Sequence, residues 1–260
     1  MSEPLSASSG AVPADYPDRS DSLPEPLSLS SGAVPADYPD DEDERIQKLL
    51  KYRVLDTDAE ALYDDLAAIA AHICGTQTAM ISFVDVSKQW FKSRVGIEAT
   101  EHPREVSFCA HTILQSEVMV VPDTREDERF AHNPLVTEEP YIRFYAGAPL
   151  ISPEGHAVGT LCVIDREPQQ LSAQQISMLA VIARQVVSQL EMRLMVQKIQ
   201  QEKAEKEKMS AELQQANIIL EKRVQARTEA IRYKNRHLER TLEELKRAQA
   251  KLDYPEQLSS

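Results

Sequence analysis

YIRFYAGAPLISPEGHAVGTLCVID, residues 141–165, is the stretch that decides the fold. Its period and punctuation describe a β-hairpin. A strand over Arg143 to Ile151 is followed by a turn at Pro153-Glu154-Gly155 and a second strand, rich in Val, Leu and Ile, from Ala157 to Asp165. Gly147 and Gly159 fall inside the strands, where glycine costs stability unless something approaches the backbone closely. The pattern predicts a sheet with one packed face and one face curved around a cavity.

Outward from the hairpin, the segment 41–194 alternates helix and strand periods. A helix is expected near Glu42–Tyr52. Asp56 or Thr57 then caps a second helix over Ala59 to Cys74, which should bury Leu62, Leu66, Ile69 and Ile73 and stop at Gly75. Strands are expected at Thr78–Val84, Lys88–Val95 and Val118–Val121. A short helix should lie over Val106–Gln115, with irregular chain from Pro122 to Pro140. The sum is an α+β fold, a largely antiparallel sheet flanked by helices.

The ends of the chain read differently. Residues 1–40 hold seven of the 15 prolines, and Ser8–Asp18 (SSGAVPADYPD) recurs at Ser30–Asp40. That composition buries too little apolar surface to offset its ordering entropy, so a disordered tail is expected. From Ser172, an N-cap, helix is expected to run to about Leu252, until Tyr254-Pro255 and a short tail, 253–260. Residues 217, 224, 231, 238, 245 and 252 are Asn, Val, Ile, Leu, Leu and Leu, a strict heptad series. Its companion series contains Leu213 and Leu220, then Arg227 and Lys234. A stripe made of Leu213, Asn217, Leu220, Val224, Ile231, Leu238, Leu245 and Leu252 needs a second helix, most simply its own copy. A homodimer through a parallel coiled coil over residues 195–252 is expected.

Charge and cysteine content narrow the function classes. The net charge is −13, but residues 1–44 alone carry 11 acidic side chains against one basic. No dense basic patch with interleaved aromatics marks a nucleic-acid partner. Cys74, Cys109 and Cys162 lie far apart in sequence without CxxC spacing, which fits a reducing compartment rather than a disulfide framework or zinc site. No apolar run approaches the length of a membrane span and no signal pattern opens the chain, so a cytoplasmic protein without membrane insertion is expected.

Several runs between Ile46 and Ile164 resemble the GAF sensor domains that precede kinase or cyclase modules in bacterial signalling proteins. They are Leu55-Asp56-Thr57, Gln89-Trp90-Phe91-Lys92-Ser93, Ser107-Phe108-Cys109-Ala110-His111-Thr112, Val121-Pro122-Asp123, Asp127-Glu128-Arg129-Phe130, Arg143 to Leu150 and Gly159 to Asp165. Glu221 to Leu252 resembles the signalling helix joining such sensors to a histidine kinase, whose catalytic machinery is not found in this sequence. The resemblance implies a non-catalytic regulatory module that binds an unidentified small ligand and acts on a downstream kinase or other output module. Trp90, Phe91, Phe108, Cys109, His111, Arg143, Tyr145 and Gly147 are the candidate pocket residues.

Two other classes compete with that reading. A bilin photoreceptor attaches its chromophore through a cysteine commonly followed directly by histidine, but Ala110 separates Cys109 from His111. A thiol-dependent redox enzyme would use the cysteines, although Cys74 and Cys162 sit where core residues are expected. A metal site would require His102 and His132 to join Cys109 and His111. The cyclic-nucleotide signature of the family is not visible. Asp123, Asp127, Arg129 and Arg143 are expected to brace a loop, and His237 to lie on a solvated helix flank. No cofactor is required by the sequence.

Overall fold

The computed structural model describes residues 32–252; the first copy of the duplicated segment and the stop at Tyr254-Pro255 lie outside the described residues. The chain divides into two units, one ending at Leu194 and the other beginning at Met195. In the first, strands β1 (Thr78–Val84), β2 (Lys88–Val95), β3 (Glu101–Pro103), β4 (Met119–Val121), β5 (Phe144–Ile151) and β6 (Ala157–Asp165) form one sheet in the order β3-β2-β1-β6-β5-β4. Every neighbouring pair is antiparallel. The hairpin is therefore as expected, and its second strand lies beside β1 at the centre of the sheet. β3 was not foreseen, because three residues are too few to display a period.

The helices are α1 (Glu42–Tyr52), α2 (Ala61–Cys74), α3 (Phe108–Thr112), α4 (Pro134–Thr137) and α5 (Ala173–Leu252). Gly75 ends α2 with φ of 70°, its N–H bonded to the carbonyls of Ala71 and His72. Ser172 and Gln175 form a reciprocal box at the start of α5. The Ser172 N–H donates to Gln175 Oε1 (2.9 Å), and the Gln175 N–H to Ser172 Oγ (3.3 Å).

Side-chain alternation splits the core in two. Ala79, Ile81, Phe83, Trp90, Phe144, Ala146, Ala148, Leu161 and Val163 face α2 and the first turns of α5. From α5, Leu179, Ile182, Ala183, Val186 and Leu190 meet them at helical spacing. Met80, Val84, Phe91, Tyr145, Cys162 and Ile164 face the other way, toward α3. Between Ile81 and Ser82 the β1–β2 register slips, leaving Lys92 as an extra residue in β2. Lys92 faces the helix side with Trp90, where its ammonium meets Thr57 Oγ1 (2.7 Å), the Asp58 carbonyl and Glu60 (both 2.6 Å), and the bulge turns Ser93 to the same side, onto Asp64 Oδ1 (2.7 Å).

Two expectations about α2 are corrected. Its buried face is Tyr63, Ala67, Ala70, Ala71 and Cys74, while Leu62 and Ile69 are nearly half exposed (45% and 47%). Small alanines let the helix axis come close to the sheet, so the stripe chosen by side-chain size is rotated outward. Neither Asp56 nor Thr57 caps α2. Its N-cap is Glu60, whose side chain makes no capping bond, and Thr57 Oγ1 instead donates to the Val54 carbonyl (2.7 Å).

Gly32–Asp40, within the stretch expected to be a tail, has no regular secondary structure but packs on the rest of the first unit. Ala36 packs on the α3-side core, and the Val34 carbonyl accepts from His111 Nε2 (3.0 Å). In the second unit, the helix is unbroken from Met195 to Leu252. Leu213, Leu220, Val224, Ile231, Leu238 and Leu245 are all more than half exposed along it. Among the described residues, no helix is long and apolar enough to cross a membrane.

Candidate functional site

Ser107, the N-cap of α3, accepts from the Ala110 N–H (3.1 Å) and donates its own hydroxyl to Gln89 Oε1. That bond fixes the Gln89 amide, whose Nε2 then donates to Ser82 Oγ and to Cys109 Sγ, both at 3.0 Å. The Tyr145 hydroxyl reaches Cys109 Sγ at 3.4 Å and Thr112 Oγ1 at 2.7 Å. Cys162, cross-strand partner of Met80, brings its Sγ to 3.6 Å from that of Cys109. Ser82 and Thr160 are paired across β1–β6, with hydroxyls 3.0 Å apart. One buried thiol thus sits at the centre of a polar network inside an apolar shell.

Burial opposes ionisation of either thiol. The donors from Cys162, Thr160, Tyr145 and Ser82 converge on Cys109 and pull it below the ordinary thiol range. Cys162, which donates to that sulfur, is pushed well up. Burial raises Tyr145 strongly, with the Cys109 charge adding to it, and burial lowers His102.

Beside Cys109 lies a small, partly open pocket of about 30 Å³, room for a water-sized guest. Phe91, Phe108, Tyr145 and Cys109 wall it, Gln89 and His102 supply the polar edge, and Leu135, Pro140 and Ile142 complete the lining. Phe108 stacks on Phe130 with ring centroids 4.0 Å apart. A larger open groove of about 490 Å³ runs between β5 and the start of α5, lined by Val118, Ile151, Ile176 and Ala180. It gathers no comparable polar network.

Of the candidate pocket residues, Phe91, Phe108, Cys109 and Tyr145 line the cavity. Trp90 does not. It is on the opposite face of β2, near-parallel to Phe83 in the helix-side core (centroids 6.4 Å apart), because neighbouring strand residues point to opposite faces. His111 lies edge-on to Phe130 and bonds Val34. Arg143 donates to the carbonyls of Val136 (2.7 Å) and Ile142 (3.1 Å), bracing the loop over the cavity. Asp123 pairs with Arg125, and Asp127 with Arg129, each through two side-chain bonds.

Gly147 touches the site indirectly. A Cβ there would meet the Tyr145 hydroxyl at 2.1 Å, so the bare backbone is what lets Tyr145 lie along its strand and reach Cys109. Gly147→Val is expected to swing the tyrosine away, cost about 1–3 kcal/mol by overpacking and raise the Cys109 pKa. Denaturant unfolding and thiol titration measure both. A parent-like thiol titration would show that Tyr145 does not tune the sulfur.

Sequence reasoning did not place Ser82, Gln89 or Thr160 at the site, and considered His102 and Cys162 only for a metal site or for thiol chemistry. Polar residues at positions 82, 89 and 160 inside otherwise apolar strands were the available signal. The two cysteines, 53 residues apart, gave no sign that they meet. Among the described residues, no three His, Cys, Asp or Glu side chains gather as a metal site requires.

Comparison with known proteins agrees with this architecture. Residues 58–190 match the GAF domain family. A cyclic di-GMP phosphodiesterase of Pseudomonas aeruginosa is 42% identical over 138 residues, which is 53% of this chain and 24% of the relative. The chain therefore spans about a quarter of that relative's length. Solved structures of similar fold include a domain assigned to a two-component sensor histidine kinase protein of Sinorhizobium meliloti. It is 18% identical with a TM-score of 0.40, over 56% of this chain and 97% of that one. Another is a type II free methionine-R-sulfoxide reductase of Thermoplasma acidophilum, 12% identical with a TM-score of 0.43, over 50% of this chain and 90% of that one. A six-stranded antiparallel sheet with helices on both faces, and a family match that covers half of the sequence, place this chain in the GAF domain family.

Proposed function

We propose that residues 41–194 form a regulatory sensor whose small-ligand site is the Cys109 cavity, and that the helix beyond Met195 carries the signal as a parallel dimer. The cavity is the observation that supports the sensor reading most directly. An apolar chamber with a few convergent polar groups is the usual form of a small-molecule site. Its small volume admits a water-sized guest, so a larger ligand requires Leu135, Pro140 and Ile142 to move outward. That movement would shift the loop braced by Arg143, which is how occupancy would be felt outside the cavity.

In this reading the chain is regulatory and the chemistry belongs to an output module, a kinase or another signalling enzyme. The Pseudomonas relative, named a cyclic di-GMP phosphodiesterase, shares only a quarter of its length. Mass spectrometry of the small molecules that co-purify with the chain tests the site. A cavity-filling Ile164→Phe change is expected to abolish retention of the ligand. Retention unchanged by that substitution would mean that any ligand binds elsewhere.

The dimer reading rests on the exposed heptad stripe. Asn217 in the seam favours two strands in fixed register, and Arg227 and Lys234 leave a loosely packed middle that suits a helix with two arrangements. Leu238→Asp is expected to weaken the dimer by on the order of a few kcal/mol. Replacing Arg227 and Lys234 with Leu should strengthen it. Sedimentation of the parent as a monomer at micromolar concentration would sink this part.

The thiol pair favours a second reading, redox chemistry. A small sulfoxide would be reduced to the sulfide and water as the Cys109 and Cys162 thiols close to a disulfide, the sulfurs moving from 3.6 Å to about 2 Å. Loss of sulfoxide turnover on replacing either cysteine, but not Cys74, would support it. No turnover by the parent would remove it.

A further inference from the structure

The segment docked on the domain is one of two copies. Residues 3–18, EPLSASSGAVPADYPD, and 25–40, EPLSLSSGAVPADYPD, differ only at Ala7 and Leu29. Every docked residue of the second copy has an identical counterpart 22 positions earlier: Gly10 for Gly32, Val12 for Val34, Ala14 for Ala36 and Tyr16 for Tyr38.

The contacts of the second copy are specific to its residues. Gly32 has φ of 68°, and a Cβ there would lie 2.7 Å from the His132 carbonyl oxygen, so only glycine fits. The Val34 carbonyl takes the proton on His111 Nε2 (3.0 Å). Ala36, partly buried, packs against the α3-side core. The Tyr38 ring covers the Arg104 guanidinium at 4.2 Å, and its hydroxyl donates to the Val86 carbonyl (3.4 Å). Arg104 is 4% exposed, and among the described residues its Nε and Nη2 have no hydrogen-bond partner, so the Tyr38 ring covers a guanidinium with donors to spare. A small residue, a carbonyl and an aromatic at fixed spacing are read by His132, His111 and Arg104.

We propose that the groove from His132 past His111 to Arg104 is a receptor for the GAVPADYPD sequence, and that residues 10–18 of the same chain occupy it whenever residues 32–40 leave. Identical residues make identical contacts, so the two copies differ only in the chain that connects them to α1. The second copy runs directly into α1. The first must close a 22-residue loop, which disfavours it by on the order of 100-fold. The second copy therefore holds the groove, and the first stands in reserve. The chain keeps one docking site and two registers of its N-terminal segment, whatever ligand the cavity takes.

Acylation of His111 by diethyl pyrocarbonate, followed by peptide mass mapping of the full chain, distinguishes the registers, since either docked copy blocks Nε2. Ala36→Asp with Tyr38→Ala disables the second copy, and Ala14→Asp with Tyr16→Ala the first. His111 is expected to stay protected in the first-copy variant, to react several-fold more slowly in the second-copy variant than in the four-residue variant, and to be open only in the last. Circular dichroism and thermal unfolding of each variant report that the domain is folded. A second set, Gly32→Val and Gly10→Val singly and together, repeats the comparison without adding charge. Equal His111 reactivity in the second-copy and combined variants of both sets would overturn the proposal. Protection in the second-copy variant that fades on dilution would overturn the assignment to the same chain, because it would come from the first copy of another molecule.

Discussion

Glu42→Ala is expected to destabilise the folded domain by about 3–5 kcal/mol, the usual cost of breaking a buried ion pair from one side. Arg45 is fully buried, and its Nε and Nη2 bond the two Glu42 carboxylate oxygens at 2.6 and 2.8 Å. Its Nη1 donates to the Val84 carbonyl at 2.6 Å, tying α1 to the end of β1. The same carboxylate accepts from Arg104 Nη1 at 2.9 Å. Removing it leaves two guanidiniums in a site from which water is excluded, and burial already lowers Arg104. Denaturant titration should show a lower midpoint with an unchanged slope. Glu42→Gln keeps an acceptor without the charge and should fall between the parent and the alanine variant. A loss below about 1 kcal/mol would place this pair with exposed ion pairs, contrary to its burial.

Gly159→Val should be of comparable size, about 3 kcal/mol, the upper end for overpacking. A Cβ at Gly159 would meet the Ser82 carbonyl oxygen at 2.1 Å and the Phe83 Cα at 2.9 Å. Both are backbone atoms of the neighbouring central strand, so nothing can rotate out of the way. At Gly147 the obstacle is the tip of the Tyr145 side chain, which can swing aside. The test is therefore a ranking. Gly159→Val should lower the thermal midpoint further than Gly147→Val, and because Ser82 is displaced with its strand, it should also disturb the Cys109 titration. The reverse order would mean that β1 and β6 are not held as closely as described.

The network around Cys109 shows where sequence reading loses its grip. Phe91, Phe108, Cys109 and Tyr145 were legible because aromatic and thiol side chains stand out in short strands and an α3-sized helix. Trp90 was placed in the pocket for the same reason, and the sheet puts it in the other core. Alternation says that residues 90 and 91 point in opposite directions, but it does not label the faces. Ser93, which joins Lys92 on the helix side, was hidden for a related reason, since a bulge is a property of the pair of strands and neither sequence carries it alone.

By itself the sequence determined what depends on near neighbours along the chain. The ends of β1, β2 and β6, the stop of α2 at Gly75, the box at Ser172 and the unbroken α5 all follow from periods, caps and breakers within a few residues. The tertiary structure alone decided what depends on distance through space. It set Cys109 against Cys162 across 53 residues, and turned the alanine face of α2 inward because close approach favours small side chains. It also laid Gly32–Tyr38 on His132, His111 and Arg104. Local propensity acts over one or two turns, whereas burial acts on whichever groups the chain brings together, and only the folded chain says which those are.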